Sequence, residues 1–529
     1  MAAALFVALG ALLFGPYLHN LPEGTHVWAQ TDRLALAINF YDFGFNFWHP
    51  RTSSLQSIGG LTGVEFPLQP YVAALGGLVF GRGSITTVFR VLDAAAAVLG
   101  CWYLFRLVFE RTGSFAAGLL PGAFLLTAPT YAFYASSPLP DPFSFSLTLV
   151  GYYYWLHYFE PLARPGQITQ LPPLTLPSPP NRFADLPRAL LFLTLAALIK
   201  TTSGLHLAAV VGITLLYALL EPAYFTHRQR VQLLLTLAVS AGLLIGFYLH
   251  NLQLNVTYQS HQFLAAAMPA DGVVTWHEYL RAFRGEGGWR YEYLTHTQYR
   301  VLLVSLVLCL VLARRGWRQQ RPLVLLLLAS LVNAFLFYQL MGALMAVHDY
   351  YAICSFLPPV VLVLVLALVL TVPLVRAGRV RYVFTGGLLV LVSLLVRSSF
   401  PHLASRMSDD YPPLSLGYTY RWMRGGASLL RQAGVPLRAR VLAPDDYSSN
   451  MPLVYFDRRG RTGLDNPPIT KVAELERRMS ADSLDYVIMQ PDTYARLAPE
   501  QAVLDAAFEP VVQQPVVVLR RRHPHQVAW

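Results

Sequence analysis

WAQTDRLALAINFYDFGFNFWHPR, residues 28–51, separates an apolar opening segment from the next apolar run. It carries two carboxylates, Asp32 and Asp42, two guanidiniums, Arg33 and Arg51, and a dense set of aromatic rings. Its first half has helical spacing: Trp28, Asp32, Ala35 or Leu36, and Asn39 fall on one side, with Leu34, Ile38 and Tyr41 nearer the other. The spacing predicts an amphipathic helix lying in a membrane interface, with Asp32 projecting from it. A plain surface anchor with a solvated aspartate is the simpler reading of the same pattern.

The surrounding sequence makes a membrane the setting. Of 529 residues, 55% are hydrophobic and 13% charged, about half the charge of a soluble domain, and the mean hydropathy is +0.43. Continuous apolar runs approach or exceed the ~18 residues that cross a bilayer, which predicts a polytopic α-helical membrane protein and argues against a β-barrel. The net charge of +11 fits arginine-rich cytoplasmic loops and not nucleic-acid binding. Cys101, Cys309 and Cys354 all fall in apolar segments and read as small buried hydrophobes. The first eighteen residues lack a basic start and a cleavage site, so they read as a retained first helix.

Membrane helices are expected at roughly 2–19, 86–108, 113–135, 142–160, 188–200, 204–220, 231–250, 298–313, 322–341, 352–375 and 382–398. With about eleven spans, the basic clusters fall on one side: Arg106 and Arg111, the Pro-rich loop with Arg164, Arg182 and Arg188, then Arg228 and Arg230, ARRGWRQQR, and RAGRVR. That side is expected to be cytoplasmic, with the amino terminus inside. The opposite, extracytoplasmic face then receives the first loop, residues 20–85, together with Asp32, Glu65, Asp141, Lys200, His348 and Asp349. A transmembrane domain is expected over 1–399. From about residue 400 the charge rises and the apolar runs shorten, which predicts a small periplasmic α/β domain over 400–529. Its strands are expected at ARVLAP, DYVIMQ and PVVVLRRR, and its helices at GASLLRQAG and TKVAELERRMS. No internal repeat of the kind seen in transporters is visible.

Five stretches could carry chemistry, and each has a structural reading beside the functional one. Asp32 lies on the interfacial helix. Glu65, in GVEFPLQP, opens a Pro-bounded apolar helix, where a dipole-favoured acid is equally at home. Asp141, in SSPLPDPFSF, is an acid between two prolines and could simply cap a helix. Lys200, in LIKTTSGLHL, could snorkel or bind a phosphate as a point charge. His348 and Tyr350, in MAVHDYYAICSF, could belong to an aromatic belt. The sequence holds no phosphate-binding glycine loop, no dinucleotide fingerprint and no nucleophile elbow, so a cytosolic nucleotide is disfavoured as substrate. A lipid-linked sugar phosphate suits an extracytoplasmic site.

Taken together, the stretches resemble a known group. HVWAQTDRLALAINFYDFGFNFWHPR is similar to the W-x-Q-x-D-x-x-x-x-A-x-N-F first loop of bacterial membrane glycosyltransferases of the GT-C superfamily, the group that includes protein O-mannosyltransferase-like and aminoarabinose-transferase-like enzymes. EFPLQPYVAALGGLVFG, LPDPF, LIKTT and HDYY resemble its later landmarks in order. The resemblance implies a GT-C fold in a bacterial inner membrane, with the active site and carboxy-terminal domain in the periplasm. It implies an inverting hexosyl- or pentosyltransferase that uses a polyprenyl-phosphate sugar donor and a glycan, lipid or protein acceptor. On that pattern Asp32 is the catalytic base and Asp141 a second acid near the donor or a metal. Glu65, Lys200, Arg33, His348 and Tyr350 would serve the donor and its phosphate. A divalent metal, if used, would meet Glu65 and His261. Two positions depart from the pattern: Phe66 stands where some relatives have a basic residue, and Ala29 replaces an arginine, leaving Arg33 as the substitute. The rival class is a transporter or flippase for a lipid-linked glycan, which would place its charges near mid-membrane on broken helices. A non-catalytic membrane scaffold is a third reading.

Overall fold

Each of the eleven apolar stretches forms helix. The computed structural model describes residues 1–159, 184–220, 225–263, 267–269, 272–284, 292–345, 347–375, 378–408 and 416–522. Arg164 and Arg182 of the Pro-rich loop, and Arg376, lie outside the described residues. Among the described residues, six helices are long and apolar enough to cross a membrane: Arg82–Thr112, Thr201–Leu220, His227–Thr257, Arg321–Met345, Leu357–Leu374 and Arg379–Met407. A seventh arises if His296–Val311 and Ala313–Gln319, bent by 74°, count as one span. Other stretches are shorter or broken, with local causes. Pro129 holds Ala128 extended (φ −68°, ψ 121°), so Phe115–Leu126 stops before Pro129–Tyr134 begins.

The chain divides into two compact units, and both are discontinuous in sequence. The first comprises residues 1–18, 91–248 and 265–405; the second comprises 19–90, 249–264 and 406–529. The first loop and the carboxy-terminal residues, expected in different domains, therefore fold as one body.

The first unit is helical. Pro140–Tyr158 packs along Asp185–Ile199, where Gly151 lets the backbones close: a methyl there would sit 2.6 Å from Leu193 Cγ. Cys101 and Cys354 are buried, as small hydrophobes are.

The second unit is built on a five-stranded sheet: β1 (Arg440–Ala443), β2 (Arg459–Thr462), β3 (Tyr486–Met489), β4 (Phe508–Val512) and β5 (Val517–Arg521), in the order β2-β1-β3-β5-β4. β1 runs parallel to β2 and β3, and β5 is antiparallel to β3 and β4. Side chains alternate across the sheet. Val441, Tyr486, Ile488 and Val518 join one core with Met423, Leu430, Met451 and Phe456. Leu442, Val487, Met489 and Leu519 join another with Val472, Leu475, Met479 and Leu504. Both faces are covered at the centre of the sheet, so β1, β3 and the start of β5 read as apolar runs. Val27 of the first loop enters one core and Leu55 packs against the other.

Helix Val27–Asp42 is buried more completely than an interfacial anchor would be. Leu34, Ala35 and Ala37 pack with Ala73, Ile85, Phe89 and Val454, while Leu36 and Phe40 pack with Val64 and Ala74. Residues 51–62 are stitched to the sheet: Ser54 bridges Gly460 of β2, Leu55 N–H donates to the Gly460 carbonyl at 2.7 Å, and Gly460 N–H donates to Ser53 at 3.1 Å. Glycine is required at 460, because a Cβ there would overlap the Val441 carbonyl. It is favoured at 60, where φ is +73° and a Cβ would meet Arg459 Nη2 at 2.5 Å.

Candidate active site

Asp32 sits in the second turn of helix Val27–Asp42, partly accessible but surrounded by protein. Its Oδ1 accepts a hydrogen bond from Asn450 Nδ2 at 2.8 Å. Asn450, fully buried, stands just before the short helix Met451–Tyr455 that follows β1. The orientation of its amide is forced: Ser54 N–H can only donate, so Asn450 Oδ1 faces it at 3.0 Å and the NH2 group must face Asp32. Desolvation pushes the Asp32 carboxyl up to about 7, and nearby Asp446 adds to the rise, whereas the Asn450 bond and the Arg33 charge oppose it. Asp446 itself is raised by burial, against hydrogen bonds from the Ser448 hydroxyl and backbone N–H.

Asn450 and Asp446 were not anticipated from the sequence. The signal was the polar run DDYSSN directly after an apolar strand. In open parallel sheets, sites gather beyond the carboxyl ends of strands where the connections diverge. β1 has that position, with β2 on one side and β3 on the other. Asp445 spans the crevice by accepting from Gln490 N–H and the Thr493 hydroxyl, both at 2.6 Å, just after β3.

Beside Asp32, Arg33 pairs with Glu65 at 2.5 Å and lies over the Phe263 ring at 5.0 Å. Glu65 precedes helix Leu68–Phe80, whose first turn follows Pro67. The acid before the proline and the base after Asp32 are therefore partners. Glu65 and His261 are the two residues expected to meet a divalent metal. Glu65 is engaged by Arg33, His261 is exposed, and among the described residues no three His, Cys, Asp or Glu side chains converge to hold an ion.

The first unit gathers the other anticipated residues. Pro140 starts helix Pro140–Tyr158, which places Asp141 in the first turn, where the helix dipole favours an acid. Helix Asp185–Ile199 ends at Lys200, whose backbone is extended. Lys200 Nζ lies 3.4 Å from Asp141 Oδ2, and the two side chains are 12% and 1% exposed. The ammonium also lies over the rings of Tyr350 at 5.9 Å and Tyr351 at 5.6 Å. His348 stacks on Tyr351 at 5.2 Å, with its Nδ1 3.1 Å from the Leu344 carbonyl. Tyr134 donates to Asp349 at 2.7 Å. The result is an aromatic box around one buried ion pair.

This architecture has solved counterparts. ArnT from Cupriavidus metallidurans bound to undecaprenyl phosphate superposes with a TM-score of 0.57 at 14% identity, covering 98% of this chain and 97% of that one. The apo state of the same protein gives 0.57 at 13%, with the same coverage. The fold is the GT-C fold. Among other GT-C structures, the archaeal oligosaccharyltransferase AglB from Archaeoglobus fulgidus gives 0.47 at 11%, covering 96% of this chain and 72% of that one. No protein-family model matches the sequence, and no curated protein matches it. The likeness extends over nearly the whole chain.

Proposed function

We propose that this protein is an integral-membrane glycosyltransferase that moves a sugar from a polyprenyl-phosphate-linked donor to an acceptor hydroxyl, with Asp32 as the general base. The observation that carries the reading is the environment of Asp32: a carboxylate accessible enough to meet a substrate and desolvated enough to titrate near neutrality. The fold supports it, since a protein of this architecture binds undecaprenyl phosphate.

In the reaction the acceptor oxygen attacks the anomeric carbon and its proton passes to Asp32. The bond between the anomeric carbon and the phosphate oxygen breaks with its electron pair on the phosphate, which leaves as polyprenyl phosphate. Attack opposite the leaving group inverts the anomeric centre. Cationic side chains stabilise the leaving phosphate, a role assigned to Lys200, with Arg33 and its partner Glu65 ordering the headgroup near Asp32. Asp141 holds the Lys200 ammonium in place, and His348 and Tyr350 wall that charge. The arginine clusters in the connecting loops favour a site on the periplasmic face of a bacterial inner membrane.

The test is transfer of radiolabel from a panel of polyprenyl-phosphate sugars to membrane glycans, glycolipids and proteins. Asp32→Asn keeps the shape and the Asn450 contact but cannot accept the proton, so transfer falls by about 10²–10⁴-fold while membrane insertion and donor binding persist. Undiminished transfer by that variant would sink the assignment. Repeating the assay with a chelator reads any need for a divalent ion.

A further inference from the structure

The segment from Asn39 to Arg51, the end of helix Val27–Asp42 and the loop after it, lines a second feature that the transfer reaction does not use. A pocket of about 200 Å³ is lined by Asn39, Phe43, Asn46, His49, Arg51 and Tyr258, among others, with no acid in its wall. Arg51, which lines the pocket, and Arg459 converge on one backbone carbonyl. Arg51 Nη1 donates to the Gly59 carbonyl at 3.4 Å, and Arg459 Nη2 donates to the same oxygen at 2.7 Å. Both lie over the exposed Phe43 ring, at 5.6 Å and 4.6 Å.

Like charges brought together need compensation, yet among the described residues neither arginine pairs with a carboxylate. The acid nearest Arg459 in effect, Asp42, is engaged by Arg82 through two hydrogen bonds of 2.8 Å. Burial and the Arg51 charge push the Arg459 guanidinium down to about 10, the direction expected where a counter-ion is missing. The polar wall is incomplete in the same sense. Asn39, 2% exposed, donates through Nδ2 to Ala35 and Ser53, while its Oδ1 has no partner. His49 Nδ1 and Arg459 Nε are likewise buried without one. Two cations, unfilled polar positions and aromatic faces together match a sugar that carries an anionic group.

The position relates this pocket to Asp32. Asn39 follows Asp32 by seven residues on one helix, which puts it on the same side about 10 Å along the axis. The segment that bonds Asn39 through Ser53 also bonds Asn450, the partner of Asp32, through Ser54.

We propose that Arg51 and Arg459 form an anion-recognition subsite for the acceptor, which selects a glycan bearing a phosphate or carboxylate close to the hydroxyl that Asp32 deprotonates. This rests on the glycosyltransferase reading only for the word acceptor; the binding claim stands alone.

The experiment is saturation-transfer NMR on the full chain in detergent, with glucose 1-phosphate, glucuronate and glucose as probes and farnesyl phosphate as the lipid-headgroup arm. Glucose 1-phosphate or glucuronate binds and glucose does not, and added salt weakens binding. Arg51→Gln lowers the affinity by roughly tenfold or more, the scale of one charge-assisted contact, and Arg51→Lys recovers part of it. Asp32→Asn leaves probe binding intact, so a failed transfer reaction and a failed subsite are told apart. Equal probe binding by wild type, Arg51→Lys and Arg51→Gln overturns the proposal. So does a loss in Arg51→Gln confined to farnesyl phosphate, which would assign the arginines to the donor lipid.

Discussion

The two units hold their key carboxylates in opposite ways. In the helical unit, Asp141 is almost fully buried and stands 3.4 Å from the Lys200 ammonium, which is itself boxed by tyrosines. In the sheet-bearing unit, Asp32 has a neutral amide, Asn450, as its hydrogen-bond partner, while Arg33 is turned to Glu65. An ion pair keeps a charge fixed; an amide leaves a carboxyl free to gain and lose a proton. The contrast sets a standing, paired charge in one unit against a titrating carboxyl in the other.

The largest expected effect attacks the fixed charge. Lys200→Met strands the buried Asp141 carboxylate next to an apolar chain, and breaking a pair this deep costs about 3–5 kcal/mol. Thermal unfolding in detergent should fall accordingly. Adding Asp141→Asn should restore most of the stability without restoring sugar transfer. If the double variant regained activity, the pair would be only a structural brace, and the contrast with Asp32 would lose its functional meaning.

Next in size is Gly460→Ala. The added methyl overlaps the Val441 carbonyl across the β1–β2 pair and displaces the Ser53–Leu55 segment that Gly460 holds. A destabilisation of about 2–4 kcal/mol is expected. Because Ser54 orients Asn450, the damage should extend to Asp32. Hydrogen exchange should show loosened protection in residues 51–62 and 440–462, with the Asp141–Lys200 region unchanged.

A smaller and more specific effect is on pH dependence. Asp32 must be ionised to act, so kcat/KM falls as pH drops through about 7. Asn450→Leu removes a bond that favours the charged form and moves that limb to higher pH. Asp446→Asn removes a neighbouring charge that disfavours it and moves the limb lower. The sign for stability is the reverse of a salt-bridged acid. Between the ordinary value of 3.8 and about 7 the folded chain holds a proton that the unfolded chain has released, so Asp32 lowers stability as pH rises through that window. Asp32→Asn should therefore melt above wild type at pH 8, with the difference closing below pH 4. Shifts of both limbs in the same direction would contradict this electrostatic account.

Much of this was legible in the sequence, and what was missed has physical causes. Apolar runs located the helices because a bilayer enforces continuous hydrophobicity. The residues Asp141, Lys200, His348 and Tyr350 were visible because charge and histidine stand out against an apolar background, and they come together in the fold. Strands β1, β3 and β5 were visible as VLA, YVIM and VVVL, since covered sheet interiors are uniformly apolar. β2, RGRT, carries no such pattern: it is held by Gly460 and by pairing, not by its own side chains. Asn450 was hidden for a related reason. Its importance comes from Asp32, 418 positions away, and neither composition nor local spacing encodes a contact of that range. The expected division near residue 400 followed a real change in composition, but composition reports solvent and not which segments pack together.

The smallest expected effect concerns a pair of contacts that tie the same distant segments at the surface. Arg82 donates to Asp42 through Nε and Nη2, both at 2.8 Å, and to Asp457 through Nη1 at 2.9 Å and Nη2 at 2.8 Å. The fork geometry is good and the three side chains are each a little over a quarter exposed. Exposed ion pairs contribute little, and this shared arrangement somewhat more, so Arg82→Gln should cost about 1 kcal/mol. The loss should shrink as salt is raised. Asp42, once released, becomes available to Arg459, its neighbour in the electrostatic field of the Phe43 pocket. The variant should therefore weaken glucose 1-phosphate binding slightly, by internal competition, while the pH limb set by Asp32 stays put. A shift of that limb would mean that the surface clamp and the base are coupled, and that the sheet-bearing unit responds as one body and not through the Ser54–Asn450 link alone.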